Sequence, residues 1–346
     1  MGSRHGHNVE LMPLDIKVKV ATMQAELVPE IFHPLLKLLF FSPHKSNVDS
    51  SWRQVCLADG RLSIIAKQEE LDVLPNFTVD PTDWSVVQVS EGQHGFDSVG
   101  VVERVTGPLA AANVPVLYIS TYQTDYVLVP SEQLDAALAQ FEIVDAQSMR
   151  SNSGASLEAN ETQREESFGG EATCQSVVAK TDAHPLAVLE DAASHIFSIA
   201  CSALESHTGA LIRLLFMPLP GDAPHALISL TETAEEVSLL CGHATWFFDY
   251  ASRAEGIRMG GSSAWIPIRI GPEAGTPLEE IGLIATHANV LMSASIPILY
   301  NSTCAADYAL VPDNELDSAM NAFAVSGFDV SMTSTWRELA SSRRRI

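Results

Sequence analysis

Carboxylates, histidines and cysteines are the side chains of this chain that could do chemistry, and none of them stands in a recognised enzyme motif. The sequence has no GxGxxG after a strand, no GxxxxGK(S/T), no GxSxG and no HExxH. The central histidines form no pair with metal-ligand spacing on one helix face: His184, His195, His207, His225, His243 and His287. We therefore predict no intrinsic catalysis, no metal site and no cofactor.

Paired glutamates occur at 165–166, 235–236 and 279–280, and such pairs are mostly solvated charge. Only the last pair adjoins a stretch of sequence that occurs twice. Asp125 and Asp307 occupy the same position in its two copies, just after a short turn, where aspartate is also a routine turn former. From the residues alone, a binding role and a purely structural role both remain open for these carboxylates.

The duplicated stretch covers residues 99–135 and 281–317, which lie 182 residues apart and, by direct count, share 15 of 37 positions without a gap. Self-similarity at a fixed offset indicates a duplicated folding unit. Duplication creates a pseudo-symmetric seam, and seams between domains often hold small molecules. The segment 147–175, which is rich in Ser, Glu, Asn and Gly, predicts a linker between two halves.

Each copy predicts the element order of a ferredoxin-like βαββαβ unit. In the first copy, helical spacing at 100–112 precedes two β-rich segments at 115–121 and 125–130. The corresponding strands of the second copy fall at 297–303 and 307–312. The remaining predicted elements are first strands at 84–89 and 265–270, helices that contain Leu134 and Leu316, and last strands near Ile143 and at 328–332.

The earlier part of each half is predicted to hold a second, more diverged unit. LLKLLFFSP at 35 resembles LIRLLFMPL at 211, although the pattern does not decide between helix and strand for these runs. The predicted fold class is α+β, with four tandem ferredoxin-like units arranged as two pseudo-symmetric pairs. The predicted boundaries are 12–78, 79–146, 178–260 and 261–333 for the units, 147–177 for an acidic linker and 334–346 for a tail.

The composition excludes several classes of partner. A formal net charge of −23 makes nucleic acid and anionic membrane surfaces unsuitable. Five cysteines, an odd number without a CxxC pair, indicate free thiols in a reducing compartment. The longest apolar runs are far below the roughly 20 residues that a membrane span needs. We therefore expect a soluble cytoplasmic protein.

Three stretches resemble the CASTOR family of cytosolic arginine sensors: HPLLKLLFF at 33–41, GPLAAANVPVLYIS at 107–120 and STYQTDYVLVP at 120–130. The resemblance covers nearly the whole chain and is weakest in the linker. It implies that the four units are ACT domains and that the protein is a homodimer with contacts from the first and third units. It further implies an amino-acid ligand that controls binding to a GATOR-type regulator of TOR complex 1.

The resemblance places the amino acid between the second and fourth ACT domains. Carboxylates there can take its cationic groups, and backbone N–H groups at a strand or helix start can take its carboxylate. This chain departs from the family where Pro115 replaces a serine, Cys304 an aromatic residue and Pro277 a glycine. Arginine is favoured, while another amino acid, a weaker affinity or an empty site stay open. The implied ligand-binding residues are Pro115, Val116, Glu280, Leu283, Thr303, Cys304 and Asp307.

The family's contacts to its partner complex match Tyr122, Gln123 and Asp125 residue for residue. These residues lie at a hairpin tip, where we expect them to be exposed. The second copy reads CAAD at 304–307 instead, so one tip suits a partner and the other a ligand. The alternative is a polar turn with an ordinary amphipathic tyrosine.

The predicted function is a non-enzymatic amino-acid sensor that binds its regulatory partner less well when ligand is present. A ligand-independent scaffold or adaptor is the first alternative. The second is a regulatory subunit of an amino-acid biosynthetic enzyme, such as an aspartate-kinase-type ACT array.

Overall fold

The structure is a computed structural model. It describes residues 9–41, 51–90, 98–141, 184–189, 192–217, 227–242, 245–261, 263–272 and 277–332. The predicted linker, the predicted tail and the predicted strand near Ile143 lie outside the described residues. Within these ranges, no helix combines the length and apolar character that a membrane crossing requires.

The strands of the first half are β1 (Glu10–Gln24), β2 (Arg53–Ala58), β3 (Arg61–Ala66), β4 (Thr78–Val79), β5 (Trp84–Ser90), β6 (Leu117–Ser120) and β7 (Asp125–Pro130). Those of the second half are β8 (Leu186–Val188), β9 (Ser194–Ala200), β10 (Leu227–Glu232), β11 (Glu236–Gly242), β12 (Ile257–Met259), β13 (Trp265–Ile270), β14 (Leu299–Ser302), β15 (Asp307–Pro312) and β16 (Val330–Met332).

The helices are α1 (Phe32–Phe40), α2 (Gln68–Leu71), α3 (Val101–Ala111), α4 (described at 134–141), α5 (Leu204–Phe216), α6 (Thr245–Ala251), α7 (Leu283–Ser293) and α8 (Leu316–Val325). Short 3₁₀ helices occupy Ala25–Ile31, Ser131–Gln133, Cys201–Ala203 and Asp313–Glu315. The similar LLF runs of the two halves are both helical, in α1 and α5, because their apolar residues recur at helical spacing and pack into one core.

The element order predicted for the duplicated stretches is confirmed. The second copy runs β13, α7, β14, β15, α8, β16, and the first runs β5, α3, β6, β7, α4 as far as it is described. The earlier parts of the two halves also show the same order as each other, namely β1, α1, β2, β3, α2, β4 and β9, α5, β10, β11, α6, β12.

The strand order departs from that of separate ferredoxin-like units. In an isolated unit the last strand would lie beside the first, but β8 is inserted between β13 and β16. In the first half, the long strand β1 pairs with both β3 and β5, with a register shift between Pro13 and Lys17. Strand β1 thus contributes to two neighbouring parts of the sheet, whereas Leu186 and Val188 of β8 are both buried in one core, which they share with β13.

The described strands belong to one sheet, and its path closes on itself. Beginning at β9, the order β11, β10, β2, β3, β1, β5, β7, β6, β14, β15, β13 returns to β9 through the pair Trp265–Ser194. The two halves meet at two seams in this ring. The β2–β10 seam has a six-residue ladder, whereas the β6–β14 seam has only the pair Asn301–Ile119.

Both faces of the ring are buried. Alternate residues of β5 show this, because Trp84 and Val86 point away from the helices while Val87 and Val89 pack beneath them. Two cores lie under helices, one beneath α1, α5 and α6 and the other beneath α3, α7 and α8. On the inner face, Gln54 Nε2 of β2 donates to Asn301 Oδ1 of β14 at 2.7 Å, so polar groups link the two seams.

Helices α3 and α7 pack on each other outside the sparse β6–β14 seam. Each helix follows a glycine in the left-handed region, Gly100 with φ +83° and Gly282 with φ +80°. A Cβ atom at Gly100 would lie 2.8 Å from Met292 Cγ on α7. Backbone conformation and helix contact therefore both require glycine there.

We predict that Gly100→Ala lowers the free energy of unfolding by about 1–3 kcal/mol, through the left-handed conformation and the crowding of Met292. Gly209→Ala is the matched control, because Gly209 lies on α5 with open space around its Cα. That substitution should raise stability by about 0.5–1 kcal/mol. Equilibrium urea unfolding measures both, and equal stabilities of the two variants would contradict the assignment.

Candidate functional site

A small cavity lies at the seam where the start of β6 faces the start of α7 and of β15. The cavity has a volume of about 10 Å³. This is close to the room that a single water molecule needs. Its lining residues are Val116, Leu117, Pro277, Leu278, Glu280, Leu283, Ile284, Thr303 and Asp307. Five of the seven residues predicted to bind a ligand are thus together, and they come from both halves.

The beginning of helix α7 supplies one wall. Gly282 turns the chain into the helix, and Leu283 and Ile284 of the first turn line the cavity. The first N–H groups of a helix have no acceptor within it, and this end carries partial positive charge. This wall therefore suits negatively charged groups.

A tight turn supplies the opposite wall. The Thr303 hydroxyl donates to Ala306 O at 2.7 Å and accepts from the N–H groups of Ala305 and Ala306, each at 3.1 Å. This turn places Asp307 as the first residue of β15. The first copy has the same arrangement, with the Thr121 hydroxyl donating to Thr124 O. The Thr303 side chain is therefore occupied in shaping the turn.

Asp307 is a buried carboxyl group, with 7% of its surface exposed. Its pKa is raised to about 6, chiefly by burial and also by the nearby Glu280 carboxylate, although the Ser302 and Tyr300 hydroxyls and His184 act in the opposite direction. The Tyr300 hydroxyl is close enough to affect this carboxylate, but among the described residues no hydrogen bond of normal geometry joins the two groups. Asp307 is therefore a carboxylate that a cation would stabilise.

Glu280 already has a partner that the sequence did not predict. His184 Nε2 lies 2.5 Å from Glu280 Oε1, and both side chains are about four-fifths buried. The sequence indicated only that His184 forms no pair with metal-ligand spacing. His184 comes to Glu280 because it lies two residues before β8, whose insertion beside β13 has no signal in the local sequence pattern.

Two predicted ligand residues do not line the cavity. Pro115 is buried just before Val116, and Cys304 packs on the inner face of the ring beside Leu278. The Cys304 N–H donates to Ser63 Oγ of β3 at 3.2 Å, and burial raises the pKa of its thiol to about 12. The tip 304–307 is thus held by the first half, which turns Cys304 away from the cavity.

The corresponding place in the first copy is chemically different. Tyr118 Oη donates to Asp125 Oδ2 at 2.6 Å, so the carboxylate equivalent to Asp307 is bound by its own hairpin. Glu280 corresponds to Ser98, which has no charge. Only the second copy therefore combines two carboxylates with a cavity among the described residues.

The hairpin tip at 122–125 is docked on strand β11 of the second half. The N–H of Tyr122 donates to Ser238 Oγ at 3.0 Å. The backbone N–H and the side-chain amide of Gln123 both donate to the Glu236 carboxylate, at 3.0 and 2.9 Å. The prediction of a freely exposed tip is wrong for Tyr122 and Asp125, which are half-buried, whereas Gln123 is exposed.

Glu236 is not the solvated charge that its place in a glutamate pair suggested. It is 1% exposed and also accepts a hydrogen bond from the Ser198 hydroxyl. Closure of the strand ring brings β11 against the tip, and three donors replace the water that Glu236 loses. Contacts across 113 residues of sequence cannot be found from local periodicity.

We predict that the free energy of unfolding decreases as the pH rises from 4 to 6.5. The Asp307→Asn substitution should remove this decrease. The folded-state pKa of Asp307, about 6, lies above its ordinary value of 3.8, so the folded protein holds this proton more tightly than the unfolded chain does. The stabilisation is complete below about pH 4 and is lost as the pH rises through 6. The full effect is about 3 kcal/mol.

Urea unfolding at several pH values checks this, with Asp317→Asn on the exposed face of α8 as the control. The control should follow the wild-type pH profile. Parallel profiles for wild type and Asp307→Asn would contradict the buried, proton-binding state of Asp307.

Comparisons with known proteins agree with the resemblance found in the sequence. Residues 80–141 and 262–324 match the ACT domain family. The cytosolic arginine sensor for mTORC1 subunit 1 of Rattus norvegicus is 26% identical over 329 residues, covering 90% of this chain and 96% of that protein. The human protein of the same name is also 26% identical, over 331 residues with the same coverage.

Among solved structures, the match with aspartate kinase from Synechocystis covers 95% of this chain and 57% of the kinase chain, with 12% sequence identity. The TM-score is 0.31, and a similarity this low carries no information about function. The chain thus contains two segments that match the ACT domain family, and it is similar along nearly its whole length to the cytosolic arginine sensors for mTORC1.

Proposed function

We propose that this protein is a non-enzymatic cytosolic sensor of a free cationic amino acid, with arginine favoured. It is organised as four ACT-like units at 12–78, 79–146, 178–260 and 261–333, with the ligand bound between the second and fourth. Ligand binding controls its association with a GATOR-type regulator of TOR complex 1. The single observation that carries this proposal is the convergence of Glu280 and Asp307 on one cavity at the seam.

The cavity walls have complementary charge for an amino acid. Asp307 and Glu280 are placed for the cationic groups, and the first turn of α7 is placed for the α-carboxylate. Charge-assisted hydrogen bonds contribute about 1.5–3 kcal/mol each. Three or four of them approach the roughly 8 kcal/mol of a micromolar complex before ordering costs are counted.

The cavity must open before such a ligand can enter. Space for about one water molecule cannot hold an amino acid, and His184 occupies one oxygen of Glu280. Entry therefore requires His184 to leave Glu280 and the segment from Pro277 to Leu283 to move from β6. The seam would then exist in a closed state and in an open state that holds the ligand. The ligand shifts the equilibrium between these states only as far as its affinities for them differ.

Tyr122, Gln123 and Asp125 are proposed as the partner surface. Repacking at the seam would change the position of this tip and weaken partner binding. Because Glu236 and Ser238 hold the tip in the present structure, the partner would meet Gln123 first and the rest after local undocking.

A ligand-independent scaffold is the second candidate. The small volume of the cavity favours it, and so does the position of Pro115 and Cys304 outside the lining. In that case His184 would serve as the permanent counter-charge of Glu280 and the seam would have one state. Binding measurements separate the two functions.

We predict that arginine binds the purified chain in isothermal titration calorimetry, and that Asp307→Asn and Glu280→Gln each weaken binding by about ten- to a hundred-fold. Affinity should fall about tenfold per pH unit below pH 6, because protonation of Asp307 removes the negative charge that the ligand needs.

Glu279→Gln is the matched control, since the Glu279 side chain is exposed beside the cavity and should not matter. The other proteinogenic amino acids are titrated in parallel. Absence of heat and of thermal stabilisation with all of them would remove the sensor function and leave the scaffold.

We predict that Gln123→Lys reduces capture of a purified GATOR-type complex at least several-fold in a pull-down. Gln123 is the exposed residue of the tip, and lysine there would replace the amide that bonds Glu236 and add a positive charge at the surface that meets the partner. Gln68→Lys, on the exposed face of α2, is the control with the same change of side chain. Undiminished capture by a folded Gln123→Lys variant would exclude this surface.

A further inference from the structure

We propose that Ser302 is a positioning residue that couples the cavity to the hairpin tip, because it stands opposite Asp307 in the β14–β15 register and its hydroxyl accepts a hydrogen bond from the backbone N–H of Tyr118. The functional meaning of this coupling rests on the proposed sensor function. The hydrogen bonds that form it are features of the structure itself.

The first link lies at the cavity. Ser302 ends β14 and is fully buried, directly opposite Asp307 in the β14–β15 register. Its hydroxyl lies close enough to the Asp307 carboxyl to lower the pKa of that group. The same oxygen accepts a hydrogen bond of 3.0 Å from the N–H of Tyr118 on β6, across the seam between the halves. Ser302 is thus in contact with the cavity and with the first half of the chain.

The second link is the Tyr118 side chain. Its main chain is held by Ser302, and its phenol hydroxyl donates to Asp125 Oδ2 at 2.6 Å at the base of the tip. The Tyr118 ring is completely buried and lies edge-on to Tyr300, with ring centroids 6.2 Å apart. A buried ring cannot move at one end alone, so a shift of the Tyr118 backbone is carried to Asp125.

The sparse ladder of the seam makes these hydroxyls important. Strands β6 and β14 share one backbone pair, Asn301–Ile119. Two reciprocal side-chain bonds flank it, Tyr118 N–H to Ser302 Oγ and Tyr300 N–H to Ser120 Oγ, both at 3.0 Å. Serine hydroxyls therefore help to hold the two halves together at this seam, whereas a longer ladder of backbone hydrogen bonds does so at the β2–β10 seam.

The chemistry of a hydroxyl explains how Ser302 responds to the cavity. It has one proton to donate and two lone pairs to accept with. When Asp307 is ionised, the Ser302 proton points to the carboxylate and a lone pair is directed at the Tyr118 N–H. When Asp307 is protonated, its own O–H competes for the Ser302 oxygen and weakens the Tyr118 bond. A ligand cation that keeps Asp307 ionised fixes the first arrangement.

Backbone amide NMR of the full chain labelled with ¹⁵N-tyrosine tests the coupling without any ligand. The chain has six tyrosines, and Tyr118, Tyr122 and Tyr126 span the coupled region. We expect these three amides to shift together with a midpoint near pH 6, the pKa of Asp307. Ser302→Ala should abolish the shift at all three, and Tyr118→Phe should abolish it at Tyr122 and Tyr126.

The controls identify the titrating group. Asp307 faces Glu280 and His184 from the segments before α7 and β8, and the Tyr300 hydroxyl from β14. Asp307→Asn should remove the shifts, whereas His184→Gln should keep them with a higher midpoint. Ser120→Ala loses the mirror-related bond, with the same cost to the seam, and should keep them.

Each remaining outcome overturns the coupling: no shift near pH 6 in the wild type, shifts that survive Ser302→Ala, or shifts that Ser120→Ala also abolishes. Failure of the sensor function would appear only in calorimetry, so the two failures are distinguishable.

Discussion

The burial of the Asp307 carboxylate at a seam between two copies of one folding unit governs the rest of the site. A carboxylate removed from water must acquire a proton, a cation or several donors. Here the donors are few, and Glu280 adds a second negative charge. Every neighbouring feature can be understood as a response to this demand, including the hydroxyl of Ser302, the positive end of α7 and the imidazole of His184.

Because the unit is duplicated, the buried carboxylate of each copy can be stabilised in a different way. In the first copy Asp125 is satisfied by Tyr118, and the tip beside it is fastened to Glu236. In the second copy Tyr300 leaves Asp307 to the cavity, and a hydrogen bond from the Cys304 N–H to Ser63 holds the tip. One ancestral hairpin has thus become a docked surface element on one side and a cavity wall on the other.

Local patterns were sufficient to predict much of this molecule. Strands at 125–130, 265–270 and 307–312 were predicted with their observed bounds, because short apolar runs bounded by polar or turn-forming residues mark them. Five cavity residues were predicted through resemblance, since the motifs around Glu280 and Asp307 are retained.

What failed depends on contacts between distant segments. The insertion of β8, the pairing of His184 with Glu280 and the burial of Glu236 all follow from closure of the strand ring. No residue type or spacing near these positions reports on a partner about a hundred residues away. Sequence patterns record which face of a strand is apolar, but they do not record which strand will cover its edge.

Closure of the ring also has a consequence for how the chain reaches its native state. Gln54 bonds Ser229 across 175 residues of sequence, and the strands on both sides of each seam come from different halves. Contacts between residues so far apart in sequence form late in folding, because bringing them together costs much chain entropy. During synthesis the first half emerges with the edges of β2 and β6 uncovered, and such edges are templates for aggregation. Newly made chains therefore depend on rapid completion of translation, or on a chaperone that shields these two edges until the second half arrives.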